Sequence, residues 1–354
     1  MSDTQTPLFI VSTGRCGSTL LSRVLALHPE VASLSEFFTA LLPDGMAERA
    51  FDGPALWQMI GSPRREHRLL FELLQRGLVI DELRYPLARL DRHRASGIPP
   101  LLMMTLPELS DDPDALHEEL GEYVKSLPGS EIGSRYLRIF VWLAERTGRR
   151  LWVERSGGSL MALPFMMRQF QNAKYVHIWR DGRETALSMS KFHPMRLSQI
   201  SREIMAIVGK TLADLSFSDE IAPGDLAKLP PHYRALVAHG FDVDAYLRVS
   251  FPLEGIARSW SRMLCERLPL LAKLPPERVL HMRYESVLHS PAEELRRLIE
   301  FLDPSLERDA WVKKAVALVR PNPSKWTGLP DGARARLDTA CSRGEEVLAK
   351  FGLR

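Results

Sequence analysis

Leu8-Phe9-Ile10-Val11-Ser12-Thr13-Gly14-Arg15-Cys16-Gly17-Ser18-Thr19-Leu20-Leu21 is the stretch that decides the fold of this chain. Its first four residues read as a short strand, and the polar turn from Ser12 to Thr19 carries two glycines and several hydroxyls. Leu20, Leu21, Val24, Leu25 and Leu27 then recur at helical spacing. A strand that empties through a glycine turn into a helix gathers backbone N–H groups and a helix N-terminus around one point, which suits an anion. Gly14 and Gly17 allow close approach and positive φ, Arg15 adds a fixed charge, and Ser18 and Thr19 place hydroxyls in the first helical turn. The stretch reads as a cradle for a phosphate-type group; glycines that merely make a tight turn are the plainer alternative.

The usual nucleoside triphosphate loop needs Gly-x-x-x-x-Gly-Lys-Ser/Thr. Here Gly14 and Gly17 are only three apart and no lysine precedes Ser18, the charge sitting inside the loop at Arg15.

Outward from this loop, the same grammar returns twice. Leu151-Trp152-Val153 is a short apolar run ending in Glu154-Arg155-Ser156-Gly157-Gly158, with a helix to about Phe170. Tyr175 to Trp179 is the next, ending in Arg180-Asp181-Gly182-Arg183, with a helix from Glu184 to Ser190. Strand, loop and helix in alternation predict an α/β, P-loop-like three-layer fold, a central parallel sheet flanked by helices, with ligands at the carboxyl ends of the strands. Residues 43–133 and 191–252 break the rhythm and read as helical insertions within a single domain over 1–354, of the kind that forms an acceptor side or lid. The basic cluster Arg84, Arg89, Arg92, His93 and Arg94 reads as a solvated face. Further on, Val279–Met282 reads as another strand, Ser290-Pro291-Ala292-Glu293 as a capping box, and the last helix runs to about Lys350.

The 354 residues, 45% hydrophobic and 26% charged, are those of an ordinary globular protein. A formal charge of +3 gives no case for nucleic acid, though it suits an anionic ligand. Cys16, Cys265 and Cys341 lack paired or metal-type spacing, and no apolar run approaches a membrane span. The expectations are no metal site, no transmembrane segment and a reducing, cytoplasmic compartment.

Arg180 at a strand end and Ser188 two turns into the next helix can converge on one oxyanion. Together, STGRCGSTLL, ERSGGS, NAKYVHIWRDGRETALSM and MRYESVLHSPAEEL resemble the PAPS-dependent sulfotransferases, in particular the tyrosylprotein and bacterial branch. The resemblance covers roughly 7–42, 134–190 and 254–350. It implies an enzyme moving a sulfuryl group from 3′-phosphoadenosine 5′-phosphosulfate to a hydroxyl acceptor, an alcohol or phenol, leaving adenosine 3′,5′-bisphosphate and needing no metal. Thr13, Gly14, Arg15, Cys16, Gly17, Ser18 and Thr19 match the 5′-phosphosulfate loop, Arg15 standing at the position that reaches the sulfuryl and bridging oxygens. Cys16 replaces the commoner serine, where the backbone N–H does the work; a redox or nucleophilic Cys16 lacks a partner histidine. Arg180 and Ser188 match the 3′-phosphate pair, Tyr284 a cofactor-contacting tyrosine, and Ser324 and Lys325 a segment that folds over the cofactor. Glu36, 21 residues after Arg15, matches the branch's catalytic base, and Arg155 stands where the branch has a lysine stabilising the transition state. His28 and His193 are weaker candidates for the base. Ser156-Gly157-Gly158 departs from the family's basic-Thr-Pro pattern. Two rivals use the same loop: a kinase or nucleotide hydrolase working on ATP, and a non-catalytic nucleotide-binding protein of this fold.

Overall fold

The structure is a computed structural model that describes residues 6–41, 46, 51–81 and 83–353. Five strands, β1 (Leu8–Ser12), β2 (Val31–Ser35), β3 (Leu151–Arg155), β4 (Lys174–Trp179) and β5 (Val279–Arg283), form one sheet in the order β2-β3-β1-β4-β5. Every pairing is parallel. β1 lies in the middle, and its side chains show why the sheet needs cover on both sides. Phe9 and Val11 enter one apolar cluster while Leu8 and Ile10 enter another, since successive strand residues face opposite ways.

On one side Phe9 packs at ring-centroid distances of 4.9 to 6.1 Å from Phe38, Trp152, Phe170 and Tyr175, beneath the helices Ile132–Arg146 and Leu163–Gln169. On the other, Leu8 and Ile10 share a core with Leu21, Val24 and Leu25 of helix α1 (Ser18–Ala26) and with Leu295, Leu298 and Ile299 of the helix Pro291–Leu302. The result is the three-layer arrangement.

β2 went unrecognised in the sequence because Val-Ala-Ser-Leu-Ser holds only two large apolar residues. All five are nevertheless buried, and the hydroxyls that hid the strand tie it to α1: Ser22 Oγ lies 2.7 Å from both Ser33 Oγ and Ser35 Oγ. The capping box at Ser290 does not form. Ser290 also ends the helix Tyr284–His289, its N–H donating to Ser286 O, and its side chain makes no cap hydrogen bond; Pro291 still opens the next helix.

Among the described residues, 51–133 and 191–252 contain helices and no strand of the sheet; 43–45, 47–50 and Glu82 lie outside the described residues. The arginines of the 84–94 cluster are largely paired with acids, Arg84 with Glu108, Arg89 with Asp112 and Asp114, and Arg94 with Asp91. No helix among the described residues is long and apolar enough to cross a membrane.

The register sets the position of the site. Ile10 and Ser35 both stand opposite Arg155, Ser12 opposite Ile178, and Trp179 opposite Arg283, so the carboxyl ends of all five strands come level along one edge. In spatial order these ends carry Glu36, Arg155, the 13–17 loop, Arg180 and Tyr284. Each step along the edge is about 5 Å.

Candidate functional site

The loop after β1 is built for close approach. Gly14 and Gly17 have φ of 88° and 92°, and Arg15 between them is held at φ 53°, in the left-handed region that non-glycine residues seldom occupy. Gly17 precedes α1, and no side chain caps the first N–H groups of the helix. A Cβ on Gly17 would stand 2.1 Å from Cδ2 of Tyr284, so the aromatic ring from the β5 end lies directly against the loop backbone. Thr13 Oγ1 is buried and without a partner.

Arg15 and Arg180 line the same cavity of about 460 Å³, together with Ser188 and Lys325. Arg15 Nε donates to Ser188 Oγ at 3.2 Å, its Nη2 lies 3.7 Å from Asp81, and its guanidinium sits over the Phe192 ring at 4.7 Å. The sequence reading paired Ser188 with Arg180; the structure brings both arginines to this wall and gives the hydroxyl to Arg15. Arg180 Nη1 points at Arg15 O at 3.5 Å, Nη2 donates to Glu184 at 3.1 Å, and the guanidinium stacks over Tyr284 at 5.0 Å. Arg180 Nε is buried and unpartnered.

Glu184, which the sequence reading passed over, organises the late segment. Its Oε1 accepts from Ser324 Oγ at 2.8 Å and from the N–H groups of Lys325 at 2.5 Å and Trp326 at 3.0 Å. Its spacing of four from Arg180, which stands two residues before the helix Gly182–Ser190, was the available signal. Asn322 of the same segment donates to Tyr284 Oη at 3.2 Å. Asp81, Lys191, Phe192 and His193 also reach the cavity, from two stretches where no motif could be read.

At the β2 and β3 ends the chemistry is different. Glu36 is held at φ 59°, and with Arg15 it makes up the non-glycine residues of positive φ among those described. Its carboxylate pairs with Arg155 Nη1 through Oε1 and accepts from Gly157 N at 2.9 Å through Oε2. Arg155 Nη2 also donates to Ser35 Oγ at 2.8 Å. Both members of the pair are buried, and neither borders the Arg15 and Arg180 cavity. The loops are nonetheless adjacent, since a Cβ on Gly14 would meet Gly158 N at 3.4 Å.

Cys16 is fully buried, donates to Ile178 O at 3.4 Å, and burial pushes its thiol up, so it is no thiolate nucleophile. His28 is buried at the far end of α1, between Glu30 N and Glu307 O, away from the strand tips. His193 borders the cavity with its Nδ1 2.8 Å from Tyr246 Oη, and burial with nearby Arg196 pulls it below the usual histidine range. Among the described residues no group of three or more His, Cys, Asp or Glu could hold a metal ion.

One parallel sheet between two helical layers, with a glycine loop and basic groups at its carboxyl edge, defines a three-layer α/β protein. The family model described as the sulfotransferase family matches residues 7–242, about two thirds of the chain, and the chain belongs to that family. No curated protein matches it. Among solved structures, it is similar to the sulfotransferase domain from the curacin biosynthetic pathway at 17% identity and TM-score 0.47, over 100% of this chain and 99% of that one. A sulfotransferase from Mycobacterium avium gives 15% and 0.47, over 100% and 78%. Retinol dehydratase in complex with androsterone and inactive cofactor PAP gives 13% and 0.35, over 98% and 82%.

Proposed function

We propose that this sulfotransferase takes 3′-phosphoadenosine 5′-phosphosulfate as donor and passes its sulfuryl group to a hydroxyl acceptor, an alcohol or phenol. The observation that carries the reading is the single cavity bordered by Arg15 at the β1 end and Arg180 at the neighbouring β4 end. Two guanidinium groups one strand step apart suit a ligand with two separated anionic groups. The buried, unpartnered Thr13 Oγ1 and Arg180 Nε fit such a ligand, and so does a loop that only glycine at position 17 can form beneath Tyr284.

In this reading the N–H groups of Thr13 to Thr19 and Arg15 bind the 5′ end, and Arg180, Ser188 and Lys325 the 3′-phosphate. Tyr284 and Ser324 fix the walls that carry them. When bound, the donor supplies a sulfuryl group on a phosphate leaving group. Such a transfer is served by positioning and by stabilising charge. Arg15 stabilises charge on the sulfuryl and bridging oxygens, and Arg155 adds to that field from the next strand end. Glu36 is the general base that accepts the acceptor's hydroxyl proton. The stretches 43–133 and 191–252 supply the acceptor side.

His193 is a second choice for the base, favoured by its place on the cavity wall while both oxygens of Glu36 have partners. Isotopically labelled donor, offered with a panel of phenols, alcohols and sugars, tests the proposal. Transfer by wild type that survives His193→Gln and is lost in Glu36→Gln is the expected result. The converse moves the base to His193; binding of adenosine 3′,5′-bisphosphate without any transfer leaves a nucleotide-binding protein, and no binding removes the donor assignment.

A further inference from the structure

The base assigned to Glu36 stands in an unfavourable backbone conformation, and the structure shows what keeps it there. Glu36 N donates to Arg155 O at 2.7 Å, which closes the β2 end against β3. The chain then turns at φ 59° straight into the short helix α2 (Phe37–Leu41). Two N–H groups of that first turn, those of Phe38 and Thr39, converge on one atom, Ser156 Oγ, at 2.9 and 3.1 Å. Thr39 Oγ1 donates to Gly157 O at 3.0 Å. The 35–39 and 155–157 segments are thereby fastened to each other on both sides of Glu36.

A hydroxyl that accepts two N–H groups has one proton left to place. Ser156 gives it to Glu154 Oε1 at 2.5 Å, and Phe38 N approaches the same oxygen at 3.4 Å. Glu154 is wholly buried on β3, and its other oxygen has no partner. Burial pushes this carboxyl up to about 8, with the Glu36 charge adding to it, so near neutrality it is a neutral acid whose Oε1 serves as acceptor. A buried carboxyl that touches no solvent is costly in a core and cannot meet substrate. Fixing the rotor of Ser156 is what its geometry allows.

We infer that Glu154 and Ser156 are positioning residues for Glu36: the carboxyl orients the hydroxyl, the hydroxyl holds the Phe38 and Thr39 N–H groups, and this clamp keeps the Glu36 carboxylate at the strand edge facing Arg155 and Gly157. The inference rests on the reading of Glu36 as the base. Without the clamp, residue 36 relaxes toward negative φ and its side chain leaves the edge.

The test compares Ser156→Ala, Ser156→Cys, Glu154→Met and Glu154→Gln in the full chain. It measures kcat, donor KM, the Kd of adenosine 3′,5′-bisphosphate, and hydrogen exchange at the Phe38 and Thr39 amides. Ser156→Ala and Glu154→Met should lower kcat on the order of 10- to 100-fold, the scale of an ångström-sized misplacement. The bisphosphate Kd should stay within about twofold, and both amides should exchange faster. Glu154→Gln, which keeps the acceptor oxygen, should stay near wild type in every readout. If Ser156→Ala does not fold, Ser156→Cys keeps the volume with a weaker acceptor and decides by the same readouts. Wild-type kcat in the serine variants, or a loss shared equally by bisphosphate affinity, overturns the inference. Should Glu36→Gln itself prove fully active, the base reading fails separately, and amide exchange alone judges the clamp: faster exchange in Ser156→Ala upholds it and unchanged exchange overturns it.

Discussion

Replacing Gly17 by alanine has a consequence that can be worked out from two distances. At φ 92° any L side chain carries the left-handed penalty, about 1–2 kcal/mol. Gly77, at φ 74° with nothing within 4 Å of an added Cβ, would carry that penalty alone. At Gly17 the new methyl would also stand 2.1 Å from Cδ2 and 2.6 Å from Cε2 of Tyr284, so the ring must move. Moving it withdraws the face on which Arg180 stacks at 5.0 Å and the hydroxyl that receives Asn322 at 3.2 Å. A cation–π contact of about 0.5–1 kcal/mol and a hydrogen bond of about 1 kcal/mol are lost from the cavity wall. Their sum, about 1.5–2 kcal/mol, bounds what the displaced wall takes from a bound bisphosphate at about 10- to 30-fold. Titration calorimetry with adenosine 3′,5′-bisphosphate should therefore show Gly17→Ala weakened by up to that factor and Gly77→Ala unchanged. Adding Tyr284→Ala to Gly17→Ala removes the overlap, so the double variant should bind no worse than Tyr284→Ala alone. Equal affinity in Gly17→Ala and Gly77→Ala would refute the argument that the ring and the loop form one wall.

Arg15→Ala and Arg180→Ala should fail in different ways: Arg15→Ala should lower kcat about 10²- to 10³-fold, the scale of removing one charge-stabilising donor, and Arg180→Ala should chiefly raise donor KM, as steady-state kinetics would separate. Equal small losses in both contradict the roles. Glu154→Gln should change how stability depends on pH. The folded-state carboxyl titrates at about 8 against an ordinary value of 4.5, so its contribution is full below 4.5 and is lost as pH rises toward 8. Between pH 5 and about 7.5, urea denaturation should show wild type losing up to about 1.4 kcal/mol per pH unit relative to Glu154→Gln, with parallel curves as the contrary result.

The strand-loop-helix units around 8–27, 151–170 and 174–190 were legible because each joins a compact apolar run to a glycine turn and a periodic helix. β2 was not, since Ser33 and Ser35 on its α1 side are hydroxyls whose fit depends on Ser22 of α1, a partner no local pattern reveals. The loop and Arg180 were readable as basic groups at strand ends, but the bonding of Ser188 to Arg15 depends on side-chain reach across the cavity. Asp81 and Phe192 lie in irregular helical stretches, and only the folding of those stretches over the carboxyl edge brings them beside Arg15. Glu36 and Arg155 were visible singly; the register of β2 against β3 makes them a pair.

The most direct measurement is a thermal-shift and calorimetric comparison of adenosine 3′,5′-bisphosphate with ATP and Mg²⁺, on wild type and on Arg180→Ala. One bisphosphate per chain, a clear rise in Tm with the bisphosphate and little with ATP, and loss of that preference in Arg180→Ala is the predicted result. Equal stabilisation by ATP and Mg²⁺, or a preference untouched by Arg180→Ala, would contradict a cavity built around two arginines for one doubly phosphorylated adenosine.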